Sequence, residues 1–219
     1  MRALLIANAA DCDPGFVGER LRHHGFAFTE CHREQPSEWP ALDGVELVLA
    51  LGSDWSVYWD HVAASVGAEA ALLRDAARRG VPVFGICFGN QVAAHAFGGS
   101  VHKGARHELG WFDVGSSVPQ HLADGPWFQW HGDVVDVPPG ATVLARNELC
   151  PQAWQLGRTL ATQFHPEVND AIVARWLREG AGEARALGHD PEQVLELTRQ
   201  RVVVSRPACE RLVDWFLDV

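Results

Sequence analysis

Val83-Phe84-Gly85-Ile86-Cys87-Phe88-Gly89-Asn90-Gln91-Val92-Ala93-Ala94-His95-Ala96-Phe97 joins a short buried-type apolar run to a helix-competent stretch through the pattern G-x-C-x-G. This is the cysteine form of a nucleophile elbow. Such a turn holds its central residue in a strained backbone conformation, and the flanking glycines remove the Cβ atoms that would clash as the strand reverses into the helix. The thiol is then presented at the edge of a sheet. At the first turn of the following helix, unpaired N–H groups and the helix dipole favour negative charge, so a thiolate and a developing oxyanion are both stabilised there. Phe88 N–H is the natural first oxyanion donor. The competing reading of Cys87 is a small buried hydrophobe, the ordinary fate of an intracellular cysteine. Two glycines placed between strand and helix favour the elbow.

Outward from this turn, the first half of the chain alternates short apolar runs with amphipathic stretches, the pattern of strands and helices laid down in turn to make a largely parallel sheet. Strands are predicted at Arg2 to Asn8, Phe26 to Cys31, Val45 to Leu51 and Val83 to Ile86, with helices over 16–24, Trp59 to Arg79 and from Asn90 to Phe97. Gly80 and Pro82 close the longest of these helices. Between about residues 100 and 165 the pattern shifts to β-prone runs broken by Gly and Pro: Leu109 to Val114, Trp127 to Trp130, Ala141 to Ala145 and Thr159 to Phe164. These read as antiparallel additions and returning strands. Beyond Asp170 the candidates are helices, Ala171 to Glu179, Pro191 to Arg201 and Pro207 to Leu217. The expectation is a three-layer α/β fold with a mostly parallel central sheet, helices on both faces, extra antiparallel strands and a helical C-terminus. All 219 residues are expected to form one domain, 1–168 as core and 169–219 as its helical part.

Composition narrows the partners. A formal net charge of −10 supplies no Lys/Arg surface for a sequence-independent grip on nucleic acid. Cys12, Cys31, Cys87, Cys150 and Cys209 form no CxxC pair and leave an odd one over, which fits reduced thiols in the cytoplasm better than a disulfide framework or a zinc site. His102 and His107 have no convincing companions, so no metal is expected. The apolar start is too short for a signal peptide and reads as a core strand, and no run has the length of a membrane span.

A thiol nucleophile needs a base, and among 11 histidines His165 stands apart. In Ala161-Thr162-Gln163-Phe164-His165-Pro166-Glu167-Val168 it ends an apolar run. If the chain stays extended through Pro166, His165 and Glu167 project to the same side, and the carboxylate can fix the tautomer while the other ring nitrogen faces the thiol. Alone, H-x-E is more often accidental; with the cysteine elbow upstream it becomes specific.

Gly85-Ile86-Cys87-Phe88-Gly89-Asn90-Gln91 and Gln163-Phe164-His165-Pro166-Glu167-Val168 together resemble the class I glutamine amidotransferase family, notably the glutaminase domain of GMP synthetase and its free-standing relatives. The resemblance runs from the third predicted strand to about Val168, with a matching first strand. Trp127 to Asp133 looks like the family's strand beside the glutamine pocket. The resemblance implies a flavodoxin-like fold and a Cys87–His165–Glu167 triad that hydrolyses the glutamine side-chain amide through a γ-glutamyl thioester, without a cofactor. L-glutamine is then the substrate and a separate synthase the acceptor of ammonia, with self-association possible.

It also implies that Gln91 helps to seat the substrate, with Trp130 and His131 as further candidates. The indole reads equally as core or pocket wall, and His131 more readily as a hydrogen-bonded structural residue. Where the family carries a Gly-Gly-Pro loop, this chain has Gly52-Ser53-Asp54, so Ser53 replaces a glycine. The Gly52–Ser53 segment would supply the second oxyanion N–H, yet Ser and Asp are also ordinary turn and cap residues. Asn90 stands where close relatives often have His. Two other activities remain open from sequence: a self-sufficient hydrolase of γ-glutamyl compounds, and a non-catalytic regulatory domain.

Overall fold

The computed structural model describes residues 1–116 and 125–218. Its largest sheet begins with β1 (Arg2–Ala7), β2 (Ala27–His32), β3 (Leu47–Ala50) and β4 (Val83–Ile86), all parallel to their neighbours. Its antiparallel half comprises β6 (Gly115–Ser116), β8 (Thr142–Arg146) and β9 (Pro151–Leu156). β10 (Thr159–Thr162) joins the halves, parallel to β4 and antiparallel to β9, in the order β2-β1-β3-β4-β10-β9-β8-β6. β5 (Ser100–Phe112) and β7 (Trp127–Asp136) form a separate antiparallel ribbon.

Every residue of β3, β4 and β10 is buried, as apolar strands covered on both faces require. One face is covered by α1 (Gly15–His23) and by the C-terminal half of α6 (Pro191–Asp218), where Leu212, Val213 and Phe216 join Leu5, Leu49 and Phe84. The other is covered by α2 (Ala63–Arg78) and α3 (Phe88–Ala96), where Leu73, Val92 and Ala93 meet Leu4, Ile6 and Val48. These faces make the expected three layers. A third apolar cluster joins the ribbon to α4 (Asp170–Glu179), α5 (Ala181–Ala186) and the start of α6 through Leu109, Phe128, Ile172, Val173 and Val194.

Several elements differ from expectation. The segment 151–156, to which the sequence pattern assigns no element, is a strand. Proline is tolerated at a strand's first position, and buried Gln152 is satisfied by other side chains. β5 begins at Ser100 rather than Leu109, and a break in register between Lys103 and Glu108 obscures its alternation. The long early helix starts at Ala63, after a 3₁₀ turn at Asp60–Val62, rather than at Trp59. The two predicted terminal helices are one, α6, with Pro207 inside it. Proline removes the bond to the carbonyl of Val203, whose position is exposed, so water can take that carbonyl. Ser205, Ala208 and Cys209 keep the opposite face buried across the proline.

Candidate active site

Adjacent strands β3, β4 and β10 deliver Gly52, Cys87 and His165 to one place, at the carboxyl end of the parallel sheet where open α/β sheets bind ligands. Cys87 has φ 52° and ψ −102°, and among the described residues it is the one non-glycine with positive φ. The turn tolerates nothing larger at its flanks. A Cβ on Gly85 would lie 2.7 Å from Gly89 O, and one on Gly89 would lie 2.2 Å from Ala50 O. Cys87 N–H donates to Thr162 O at 2.8 Å and Gly89 N–H to Leu51 O at 3.1 Å, tying the elbow to both neighbouring strands. Among the described residues no acceptor takes the N–H of Phe88 or of Ser53.

His165 and Glu167 lie where the extended reading through Pro166 puts them. Nδ1 of His165 is 2.7 Å from Glu167 Oε1, so the other ring nitrogen is left for Cys87, which lies near enough to act electrostatically on the ring. All three residues are at most 4% exposed, so their charges interact with little solvent screening. Burial alone would lower the His165 pKa. The Glu167 carboxylate and the negative charge at Cys87 outweigh it and raise the pKa to about 10, which favours the imidazolium. His165 N–H donates to Phe128 O at 2.8 Å, and the Trp176 ring packs edge-on against the imidazole at 4.9 Å between centroids. Trp176 is itself anchored by a 2.6 Å bond from Nε1 to Asp11 Oδ2.

The other predicted residues divide. Gln91 is buried in α3, and its Oε1 has no hydrogen-bond partner among the described residues. Trp130 approaches through its backbone: its carbonyl oxygen is 4.0 Å from Cys87 Sγ, while the indole N–H donates to Glu183 at 3.3 Å. His131 is taken up by the ribbon, with Nδ1 2.9 Å from Asp133 O and Nε2 3.3 Å from Glu108, close enough for an ion pair though not aligned as a hydrogen bond. The Ser53 hydroxyl accepts the Trp55 N–H at 3.1 Å, so it closes a local turn.

Sequence reasoning gave no role to Gln163, whose Nε2 donates to Cys87 Sγ at 3.7 Å. Its Oε1 accepts from Asn90 Nδ2 at 3.0 Å, and Asn90 Oδ1 accepts from Trp154 Nε1 at 2.6 Å. A buried hydrogen-bond chain thus runs from β9 to the thiol. Its only sequence signal was polar residues inside apolar runs. Away from these residues, at the sheet edge, Cys12, Glu30 and His32 bring potential metal-ligating atoms within 4.8 Å of one another. Burial and the Glu30 carboxylate raise the Cys12 pKa, which favours a thiol over a ligating thiolate.

Comparison with known proteins agrees with this geometry. The family model described as "Glutamine amidotransferase class-I" matches residues 60–172, which span the elbow and the His165–Glu167 pair. The chain belongs to the class I glutamine amidotransferase family. Among curated relatives of this amidotransferase, the GMP synthase (glutamine-hydrolyzing) of Corynebacterium efficiens is 31% identical over 204 residues, covering 85% of this chain and 37% of the relative. That of Aromatoleum aromaticum is 37% identical over 128 residues, covering 48% of this chain and 25% of the relative. The chain therefore spans between a quarter and two fifths of the length of these relatives. A solved glutamine amidotransferase from Thermotoga maritima superposes with a TM-score of 0.88 at 26% identity, covering 100% of this chain and 99% of the other. One from Methylobacillus flagellatus gives 0.84 at 25% identity, with 100% and 94% covered. Among the described residues no helix is long and apolar enough to cross a membrane.

Proposed function

We propose that this amidotransferase hydrolyses the side-chain amide of L-glutamine, with Cys87 as nucleophile, His165 as acid and base and Glu167 as orienter. The observation that carries this reading is the Cys87 elbow, gathered around Gly52 with an imidazole whose far nitrogen is 2.7 Å from a buried carboxylate. Cys87 Sγ attacks the δ-carbonyl carbon, and the oxyanion is taken by the N–H groups of Phe88 and Ser53. The raised pKa keeps a proton on His165 for the departing nitrogen; the C–N bond breaks and ammonia leaves. Neutral His165 then takes a proton from water, which attacks the γ-glutamyl thioester to give glutamate and a free thiol. Gln91 Oε1, a buried acceptor without a partner among the described residues, is a candidate for holding the substrate. We assign His131 and the Trp130 indole to structure, and the Trp130 carbonyl to the wall beside the thiol.

Because the chain matches only part of longer GMP synthases, we propose that the ammonia is consumed by a synthase outside these residues. Hydrolysis of γ-glutamyl peptides shares every step up to the acyl-enzyme, and the local role of the Ser53 hydroxyl gives it no special support. The test is release of glutamate from L-glutamine and from a small γ-glutamyl peptide by the wild-type protein, with Cys87→Ala as control. Turnover of glutamine that the variant lacks supports the proposal, and cleavage of the peptide alone overturns it in favour of the hydrolase. A folded protein that cleaves neither, and whose Cys87 resists a glutamine-like electrophile, is the regulatory domain.

A further inference from the structure

Arg33 and Glu69 form an ion pair whose two side chains are both 0% exposed. Nε of Arg33 donates to Glu69 Oε2 at 2.8 Å and Nη2 to Oε1 at 3.0 Å, a bidentate pairing of a strand-end arginine with α2. Stability alone is a poor reason to bury such a pair, since desolvating two charges offsets most of their attraction and apolar replacements often do as well. The remaining contacts of the guanidinium are more informative. Nη2 donates to Leu51 O at 2.8 Å and Nη1 to Gly52 O at 2.9 Å. The same guanidinium carbon stands 4.8 Å from the centre of the Phe88 ring.

These contacts fix the direction of two peptide planes. In a trans peptide the C=O and the following N–H point to opposite sides. With the Leu51 and Gly52 carbonyls turned onto Arg33, the N–H groups of Gly52 and Ser53 face away from it. The loop's other side is the thiol: a Cβ on Gly52 would lie 3.0 Å from His165 Cε1 and 3.6 Å from Cys87 Cβ. The cation also stacks on Phe88, whose N–H is the other oxyanion donor proposed above. Leu51 O additionally accepts the Gly89 N–H, so loop and elbow share one anchor.

We infer that Arg33, held by Glu69, is a positioning residue that aims the Gly52–Ser53 peptide at the oxyanion formed on Cys87. The inference rests on the acyl-transfer chemistry of the preceding section and extends it to a residue that touches no substrate. It also gives a reason why serine serves where the family has a loop glycine, because the peptide's direction is set by the buried cation.

The test compares wild type with the apolar pair Arg33→Met/Glu69→Met, which leaves no orphaned charge, and with Arg33→Lys. Three quantities are measured: kcat and KM on whichever γ-glutamyl substrate wild type turns over, the rate of Cys87 alkylation by iodoacetamide, and the thermal midpoint. Alkylation displaces iodide from a saturated carbon and forms no oxyanion, so it reports on the thiol without the loop. Loss of an oxyanion donor typically costs about 100-fold or more in kcat. The expected result is a fall of about that size in the folded double variant, with KM and alkylation within about threefold of wild type. Lysine keeps the charge but not the fork that reaches both carbonyls, so Arg33→Lys is expected to remain impaired in kcat. Unchanged kcat in the double variant, full rescue by lysine, or parallel loss of alkylation and turnover overturns the inference. A wild type that cleaves no γ-glutamyl compound overturns the proposed function itself, and this inference with it.

Discussion

The parallel and antiparallel halves of the large sheet meet at β10 and are built on different chemistry. The inner parallel strands β1, β3 and β4 are mostly apolar, and the candidate catalytic groups stand just beyond the carboxyl ends of β3, β4 and β10: Gly52, Cys87 and His165. The antiparallel half and the ribbon instead bury Glu108, Gln129, His131 and Gln152 within the strands themselves. Gln129 Nε2 donates to Gln152 Oε1 at 2.6 Å, and Asn147 Nδ2 lies 2.9 and 3.0 Å from the two Glu108 oxygens. One half presents the candidate catalytic groups at strand ends; the other uses a buried polar network to hold the wall beside them.

The division is broken most completely at the elbow. Gly89→Ala would drive a Cβ to 2.2 Å from Ala50 O, a backbone atom that cannot step aside without moving β3. Overpacking of this kind costs about 3 kcal/mol or more, and glutamate release is expected to vanish along with a drop in the thermal midpoint. A variant that stays active with an unchanged midpoint would remove the close-packed elbow from the argument.

Next in size is Glu167→Gln, which keeps the shape of the side chain and removes its charge. The carboxylate is a main reason the His165 pKa rises to about 10, so the variant should lose roughly 1,000-fold in kcat, and its alkaline limb should move toward neutral pH. Linkage gives the matching stability signature. A histidine with a raised folded-state pKa adds stability that is complete below its unfolded value of 6.5 and is lost as pH rises toward 10. Denaturant titrations from pH 6 to pH 10 should show that decline in wild type and a flatter profile in the variant.

Gln163 sharpens the comparison because it crosses the division. Its amide reaches the thiol, while its other end is reached through Asn90 from Trp154 on β9. A buried hydrogen bond to a charged group is worth about 1.5–3 kcal/mol, so Gln163→Leu should slow glutamine hydrolysis by about tenfold or more. Iodoacetamide alkylation should slow with it, unlike in the Arg33 variants. Equal alkylation rates would assign Gln163 to packing alone.

How much of this was legible follows the same division. The parallel strands, the elbow and the His165–Glu167 pair are written in local patterns: apolar runs, two glycines and a proline-straightened H-x-E. The residues supporting the site are not. Arg33 is far from Cys87 in sequence, Trp176 comes from a C-terminal helix, and Gln163 looks like any polar residue before an apolar one. β9 is hidden because Pro151 and its two glutamines interrupt the apolar pattern of a strand, and the single helix α6 because Pro207 reads as a break unless the exposure of Val203 is known. Periodicity reports where a chain is apolar; it is silent on polar groups satisfied by partners distant in sequence.

The smallest expected effect on rate tests the antiparallel half by itself. Burial alone would raise the Glu108 pKa, but the adjacent His131 ring and the hydrogen bonds from Asn147 outweigh it and lower the value below 4.5, so the native network holds a carboxylate. A carboxyl whose folded-state pKa is depressed adds stability that is present above its unfolded value and lost as pH falls through the folded one. Glu108→Gln removes the charge and turns one acceptor into a donor that faces the Asn147 and Gln152 amides. Leaving buried groups mismatched in this way costs about 2 kcal/mol at neutral pH, and the wild-type advantage should shrink below pH 4.5. Because Glu108 meets the site only through the wall it supports, kcat of the folded variant should stay within about threefold of wild type. A much larger loss of rate without loss of stability would mean that the polar network tunes the chemistry, and the division between presenting strands and supporting strands would fail.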